Sequence, residues 1–135
     1  MLGRTLLAVT ALTAALVIPS AAPDADAAAL AAATLINESD GRTLSFPVGQ
    51  EIKVRLQAVR RNGEMWTWST PAVSATDVLD RTAGRTTPNG GAAADIRVAG
   101  PGRSYITAQR TCTSTRQGHQ CGSASREWRV TVDAH

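Results

Sequence analysis

Alternation with a period of two runs through this chain from Thr34 to its end, and it leaves room for few architectures. Glu51 to Val59 shows it best. Ile52, Val54, Leu56 and Ala58 fall on one side, and Glu51, Lys53, Arg55 and Gln57 on the other. The pattern returns over Ala92–Val98, where Ala94, Ile96 and Val98 oppose Asp95 and Arg97. It recurs over Ser104–Arg110 and over Arg126–Val132, with Trp128, Val130 and Val132 facing in. Thr34–Asn37, Thr43–Phe46 and Met65–Ser69 supply shorter strands, the last carrying Trp66 and Trp68 on one face. Val78-Leu79 reads as a short strand or a single helical turn, and Arg81–Gly91 as a long glycine-rich loop. Sheets with one face in a core and one in water produce such alternation. No segment supports a helix of three turns. The expectation is an all-β antiparallel sandwich over residues 34–135.

Cys112 and Cys121 are the only cysteines, and they sit in a polar loop between the last two alternating strands. An even count in an exported chain points to a disulfide closing that hairpin. A loop this short gains about 2–3 kcal/mol from closure in the chain-entropy model. A stiffened tip also loses less entropy when it binds. A zinc site needs more ligands than Cys112, Cys121 and His119 supply, so no metal is expected. His119 reads as an exposed loop residue.

Export is itself read from the N-terminus. Arg4 is followed by a thirteen-residue apolar run, Leu6–Ile18, too short to span a bilayer comfortably. Pro19 and Ser20 break it, and Ala25-Asp26-Ala27 offers small residues for cleavage after Ala27. Residues 1–27 are therefore expected to be a signal peptide and residues 28–33 a flexible lead-in, leaving a secreted domain without a membrane anchor. The chain has 14 basic and 11 acidic residues; without Arg4, Asp24 and Asp26 it carries four excess positive charges. All the remaining bases but Lys53 are arginine, the codon bias of a GC-rich bacterial genome. Outside a cell, a basic domain meets anionic cell-wall polymers or acidic proteins.

Catalytic constellations are missing from the sequence. His119 and His135 are the only histidines, no serine lies in a Gly-x-Ser-x-Gly elbow, and Asp77, Asp80 and Asp95 are scattered. Asn89-Gly90-Gly91 lacks the Lys-Ser/Thr and helix of a phosphate loop and reads as a turn. Arginines alternate outward on several strands without forming a dense patch, which argues against nucleic acid. The chain is expected to be a non-enzymatic monomer without a cofactor. Trp128, and one face of the Trp66/Trp68 pair, are assigned to the core.

From Thr34 onward the order of motifs resembles the chagasin-type inhibitors of cysteine peptidases, which are immunoglobulin-like sandwiches. Val48-Gly49 precedes an alternating strand, and a loop runs through Gly63 to Trp66. Gly90-Gly91 precedes another strand, a glycine connection lies at Gly100–Gly102, and Arg110 opens the hairpin. The resemblance implies that three loops, Arg60–Trp66, Pro88–Gly91 and Arg110–Cys121, wedge into a papain-like cleft. The candidate binding residues are Arg60, Arg61, Asn62, Gly63, Trp66, Asn89, Gly90, Gly91 and Arg110. The chain departs from the family in two loops. The first lacks the family's Asn-Pro-Thr-Thr-Gly, and the third has Arg110-Thr111-Cys112 where the family has Arg-Pro-Trp. The residues by themselves indicate a secreted binding module of unspecified ligand, and the resemblance adds peptidase inhibition as the alternative. Under either reading the oxidised protein takes up no alkylating agent by mass spectrometry; two labelled cysteines would refute the disulfide.

Overall fold

The computed structural model describes Ala14, Ala15, Val17, residues 30–122 and residues 125–135. Apart from those three isolated positions, the expected signal segment lies outside the described residues, as does the start of the lead-in. Ten strands follow: β1 (Ala33–Leu35), β2 (Thr43–Phe46), β3 (Glu51–Leu56), β4 (Val59–Arg61) and β5 (Glu64–Trp68), then β6 (Ala72–Val73), β7 (Leu79–Thr86), β8 (Ala92–Val98), β9 (Gly102–Ser114) and β10 (Ser125–Ala134). They form two sheets, ordered β1-β3-β8-β7 and β2-β10-β9-β5-β4, with β6 continuing alongside β9 below Pro71. The fold is an all-β sandwich closed near its C-terminus by the Cys112–Cys121 disulfide.

The alternation places the core as expected. Ile52, Val54 and Leu56 of β3 pair with Ile96, Ala94 and Ala92 of β8, and all six are buried. Ile106 and Ala108 of β9 and Trp128, Val130 and Val132 of β10 close the other side. Trp128 is 1% exposed and Trp68 7%. Trp66, two residues nearer the strand start, is only half-buried.

Four sequence expectations are corrected. The sandwich is not purely antiparallel, because β1 runs parallel to β3 and β2 parallel to β10. The first strand leaves one sheet at Ile36, passes through a 3-10 turn over Asn37–Ser39 and joins the other. The strand beginning at Glu51 ends at Leu56 instead of Val59, since the Asn37 carboxamide caps Gln57. Its Oδ1 accepts from the Gln57 N–H at 2.9 Å and its Nδ2 donates to the Gln57 carbonyl at 2.9 Å. This side chain replaces a neighbouring strand, so the chain can cross to the second sheet without orphaned backbone groups. Arg81–Gly91 is not a loop throughout, because Leu79–Thr86 pairs with β8. A bulge between Arg81 and Ala83 breaks its parity, and everything in it after Leu79 is exposed. An edge strand of that kind has no apolar alternation to read. Finally, β9 runs well past Arg110, because its last residues pair with β5.

Both buried tryptophans spend their indole N–H groups on the crossing segments. Trp128 Nε1 donates to the carbonyls of Ile36 and Asn37, each at 3.2 Å, and Trp68 Nε1 donates to the Gln57 carbonyl at 2.8 Å. Replacing Trp128 by Phe therefore removes volume and strands two carbonyls. Urea unfolding should show a loss of about 2–4 kcal/mol. Trp66→Phe, at the half-buried position, should cost about 1 kcal/mol or less. Equal losses would remove the indole anchors from this account of the fold.

Candidate functional site

Three connections gather at one end of the sandwich: β3–β5 with its tip at Asn62-Gly63, β7–β8 over Thr87–Gly91, and the β9–β10 hairpin. Each has a local reason for its shape. Asn62 and Gly63 have φ of 51° and 78°, as a two-residue hairpin turn between twisted strands requires. The Thr87–Gly91 connection closes on itself through Gly90 N–H to the Thr87 carbonyl (3.0 Å) and Thr87 N–H to the Gly91 carbonyl (2.9 Å). The Asn89 carboxamide oxygen accepts from Gly91 N–H at 3.3 Å and from the Thr87 hydroxyl. The hairpin is tied by the disulfide between Cys112 and Cys121.

The three are also pinned to one another. Trp68 N–H donates to the Gly90 carbonyl at 3.0 Å, fastening the second loop to the edge of β5. Gly90 has φ of 89°, and a Cβ there would sit 2.7 Å from Thr67 Cγ2. That close approach needs glycine. Thr115 N–H donates to the Gly63 carbonyl at 2.8 Å, fastening the hairpin to the first loop. His119 Nε2 lies 3.3 Å from Glu64 Oε1, and Trp66 Nε1 donates to Glu64 Oε2 at 3.2 Å. The hydrogen bond with His119 holds the Glu64 carboxyl below the usual glutamate range, helped by Trp66 and the backbone of Gly122. Glu64 lies near both sulfurs, but sulfurs bonded to each other offer no thiolate to a metal.

The structure thus brings the candidate binding residues to one end. Arg60, Arg61, Asn62 and Asn89 are exposed there, while Gly90 and Gly91 sit closer in against the sandwich. Arg110 is the exception in orientation. It pairs with Trp68 in register, so it projects between the sheets instead of from the loop crest. Its guanidinium carbon stands 4.5 Å from the Trp66 ring centroid and 5.9 Å from that of Trp68. Beside it opens a cavity of about 480 Å³ lined by Asn37, Glu38, Val59, Arg61, Asn62, Glu64, Trp66 and Arg110. Sequence reasoning missed Asn37, Glu38 and Glu64, whose roles depend on which segments the crossings bring together. It also misplaced His119, which is half-buried against Glu64. His135 lies at the opposite end, where Ser45 Oγ and His135 Nδ1 are 3.1 Å apart.

No protein-family model matches the chain, and no curated protein does. Among solved structures it is similar to the cysteine protease inhibitor EhICP2 from Entamoeba histolytica, with 15% identity and a TM-score of 0.49 over 76% of this chain and 94% of that one. It is also similar to amebosin, with 13% identity and a TM-score of 0.45 over 78% and 99% of the two chains. A third similar structure is PbICP-C, solved in complex with falcipain-2, with 12% identity and a TM-score of 0.47 over 76% and 99%.

The Glu64 contacts make loop anchoring sensitive to acid. A carboxylate whose folded pKa is depressed contributes stability above its unfolded value and loses it as pH falls through the folded one. The difference in Tm between the wild type and Glu64→Gln should shrink as the pH falls below about 4.5. A difference unchanged into strong acid would dissociate Glu64 from the pinning of the hairpin.

Proposed function

We propose that this chain is a secreted, non-catalytic binding domain that inhibits papain-like cysteine peptidases by inserting the three-loop end into the active-site cleft. The observation that carries this reading is the mutual pinning of the loops. Gly63 is joined to the Cys112–Cys121 hairpin, and Gly90 to the edge of β5, by backbone hydrogen bonds. An edge that enters a cleft already ordered loses little conformational entropy on binding. The motif order of the sequence, from Val48-Gly49 to Arg110, supports the same partner class. Export is supported by the apolar run Leu6–Ile18 before Ala25-Asp26-Ala27, and by a disulfide, which persists in oxidising compartments.

The test is titration of a papain-like peptidase with the purified, oxidised domain. Reversible, stoichiometric inhibition is expected. Pro88→Trp adds bulk at an exposed position of the second loop and should raise the inhibition constant by roughly tenfold or more, while Pro88→Ala should change it little. Replacing Gly90-Gly91 by Ala-Ala is a poorer probe. A Cβ at Gly91 would stand 2.7 Å from the Leu56 carbonyl, so the loop itself would shift. Absence of inhibition at micromolar concentrations would overturn the peptidase reading and direct the search to other secreted proteins and anionic cell-wall polymers.

A further inference from the structure

We propose that the cavity between the 3-10 turn and the β4–β5 hairpin is a carboxylate-binding site, with the Arg110 guanidinium as the anion receptor and the Trp66 ring beside it as its apolar wall. Arg110 makes no ion pair among the described residues, and its buried Nε has no hydrogen-bond partner there. The tryptophan rings compensate its charge from the sides only. Stacking of this kind leaves the N–H edge of the fork unspent, and that edge matches the two oxygens of a carboxylate. The same guanidinium also borders a smaller cavity of about 90 Å³ with Asp40, Trp68 and Trp128, so it stands where two spaces meet.

The lining chooses among anions. Both Glu64 oxygens are committed to Trp66 and His119, and Glu38 stands at the exposed rim. Two carboxylates in the wall disfavour a multiply charged phosphate. A single carboxylate would face Arg110, with Arg61 at the mouth and the Asn62 amide nearby. A volume of about 480 Å³ lies within the range of small-ligand sites, enough for an acidic side chain with its neighbouring backbone. The shared chemistry is a monocarboxylate with an apolar stem; its source is either an acidic side chain of a bound protein or a free small acid. This inference does not depend on peptidase inhibition, because binding is read on the isolated chain.

The experiment is a titration of the oxidised, ¹⁵N-labelled chain followed through the indole N–H signals of Trp66 and Trp68. One probe is a blocked tripeptide, acetyl-Ala-Glu-Ala-amide; the other is N-acetylglycine. The Gln tripeptide and N-acetylglycinamide are their neutral controls. Saturable shifts with either acid, absent with its amide, are expected. Binding of the tripeptide alone assigns the site to a partner's side chain, and binding of N-acetylglycine alone to a free or terminal carboxylate. Arg110→Lys, which keeps the charge but loses the fork, should weaken binding roughly tenfold. Asn62→Asp adds a negative charge at the mouth while tolerating the turn's positive φ, and should weaken it several-fold; it carries the test if the Lys variant does not fold. No indole shift with either acid, equal shifts with the amides, or wild-type affinity in folded variants would overturn the proposal.

Discussion

Two indole N–H groups hold this sandwich in register with its own crossings. A tryptophan buried between two sheets brings a donor that must find an acceptor inside. In an ordinary sheet interior every carbonyl is already taken by a neighbouring strand. Acceptors are free where the chain leaves one sheet for the other, and there both indoles end. Trp128 bonds the carbonyls of Ile36 and Asn37, at the β1-to-β2 crossing, and Trp68 bonds that of Gln57, at the β3-to-β4 crossing. The Asn37 carboxamide then links the two crossings by its paired bonds to Gln57. The largest core side chains and the irregular backbone thus satisfy each other, and neither could be exchanged alone. Asn37 is thereby engaged with Gln57, and Ser39 on the same turn is buried.

From that anchor the loop end inherits its shape. The crossing at Gln57 delivers the chain to β4, whose turn at Asn62-Gly63 receives the hairpin through Thr115. The edge of β5 beyond β4 is left unpaired at Trp68, and Gly90 takes it. Each loop is therefore held by a backbone group that the sandwich could not satisfy otherwise. The disulfide acts on the remaining freedom, that of the long hairpin tip, and the Glu64–His119 contact fastens the tip to the first loop. A single half-buried contact of this kind contributes little to stability. Its value here is positional, because it decides where the tip points.

The parts of this arrangement that the sequence disclosed are those governed by periodicity. Ile52 to Leu56, Ala94 to Val98 and Trp128 to Val132 face the core as alternation required, and the cysteines pair as their spacing and number suggested. Where signals failed, a physical reason can be named. Strand β7 lies at an edge with a bulge, so neither face of Leu-Asp-Arg-Thr-Ala-Gly-Arg-Thr carries an apolar record. The end of β3 was set by a side chain twenty positions away, and no local pattern encodes that bond. The clustering of loops came only from the family resemblance, because periodicity carries no record of sheet order. Arg110 was named as a candidate binding residue at the opening of the hairpin, but its direction depended on the register of β9 against β5.

That direction changes what Arg110 contributes. An arginine on the inward side of a strand faces a large desolvation cost, and the usual remedy is a carboxylate partner. Glu64, the first residue of β5, lines the same cavity, yet its oxygens are held by Trp66 and His119. The tryptophan faces supply the compensation instead, through a quadrupole that does not neutralise the charge. A carboxylate in that place would have closed the site electrostatically. Aromatic stacking keeps the guanidinium in position while leaving its field open to the cavity. The Glu64–His119 contact thus does two things at once: it fixes the hairpin, and it occupies a carboxylate of the cavity wall that Arg110 shares.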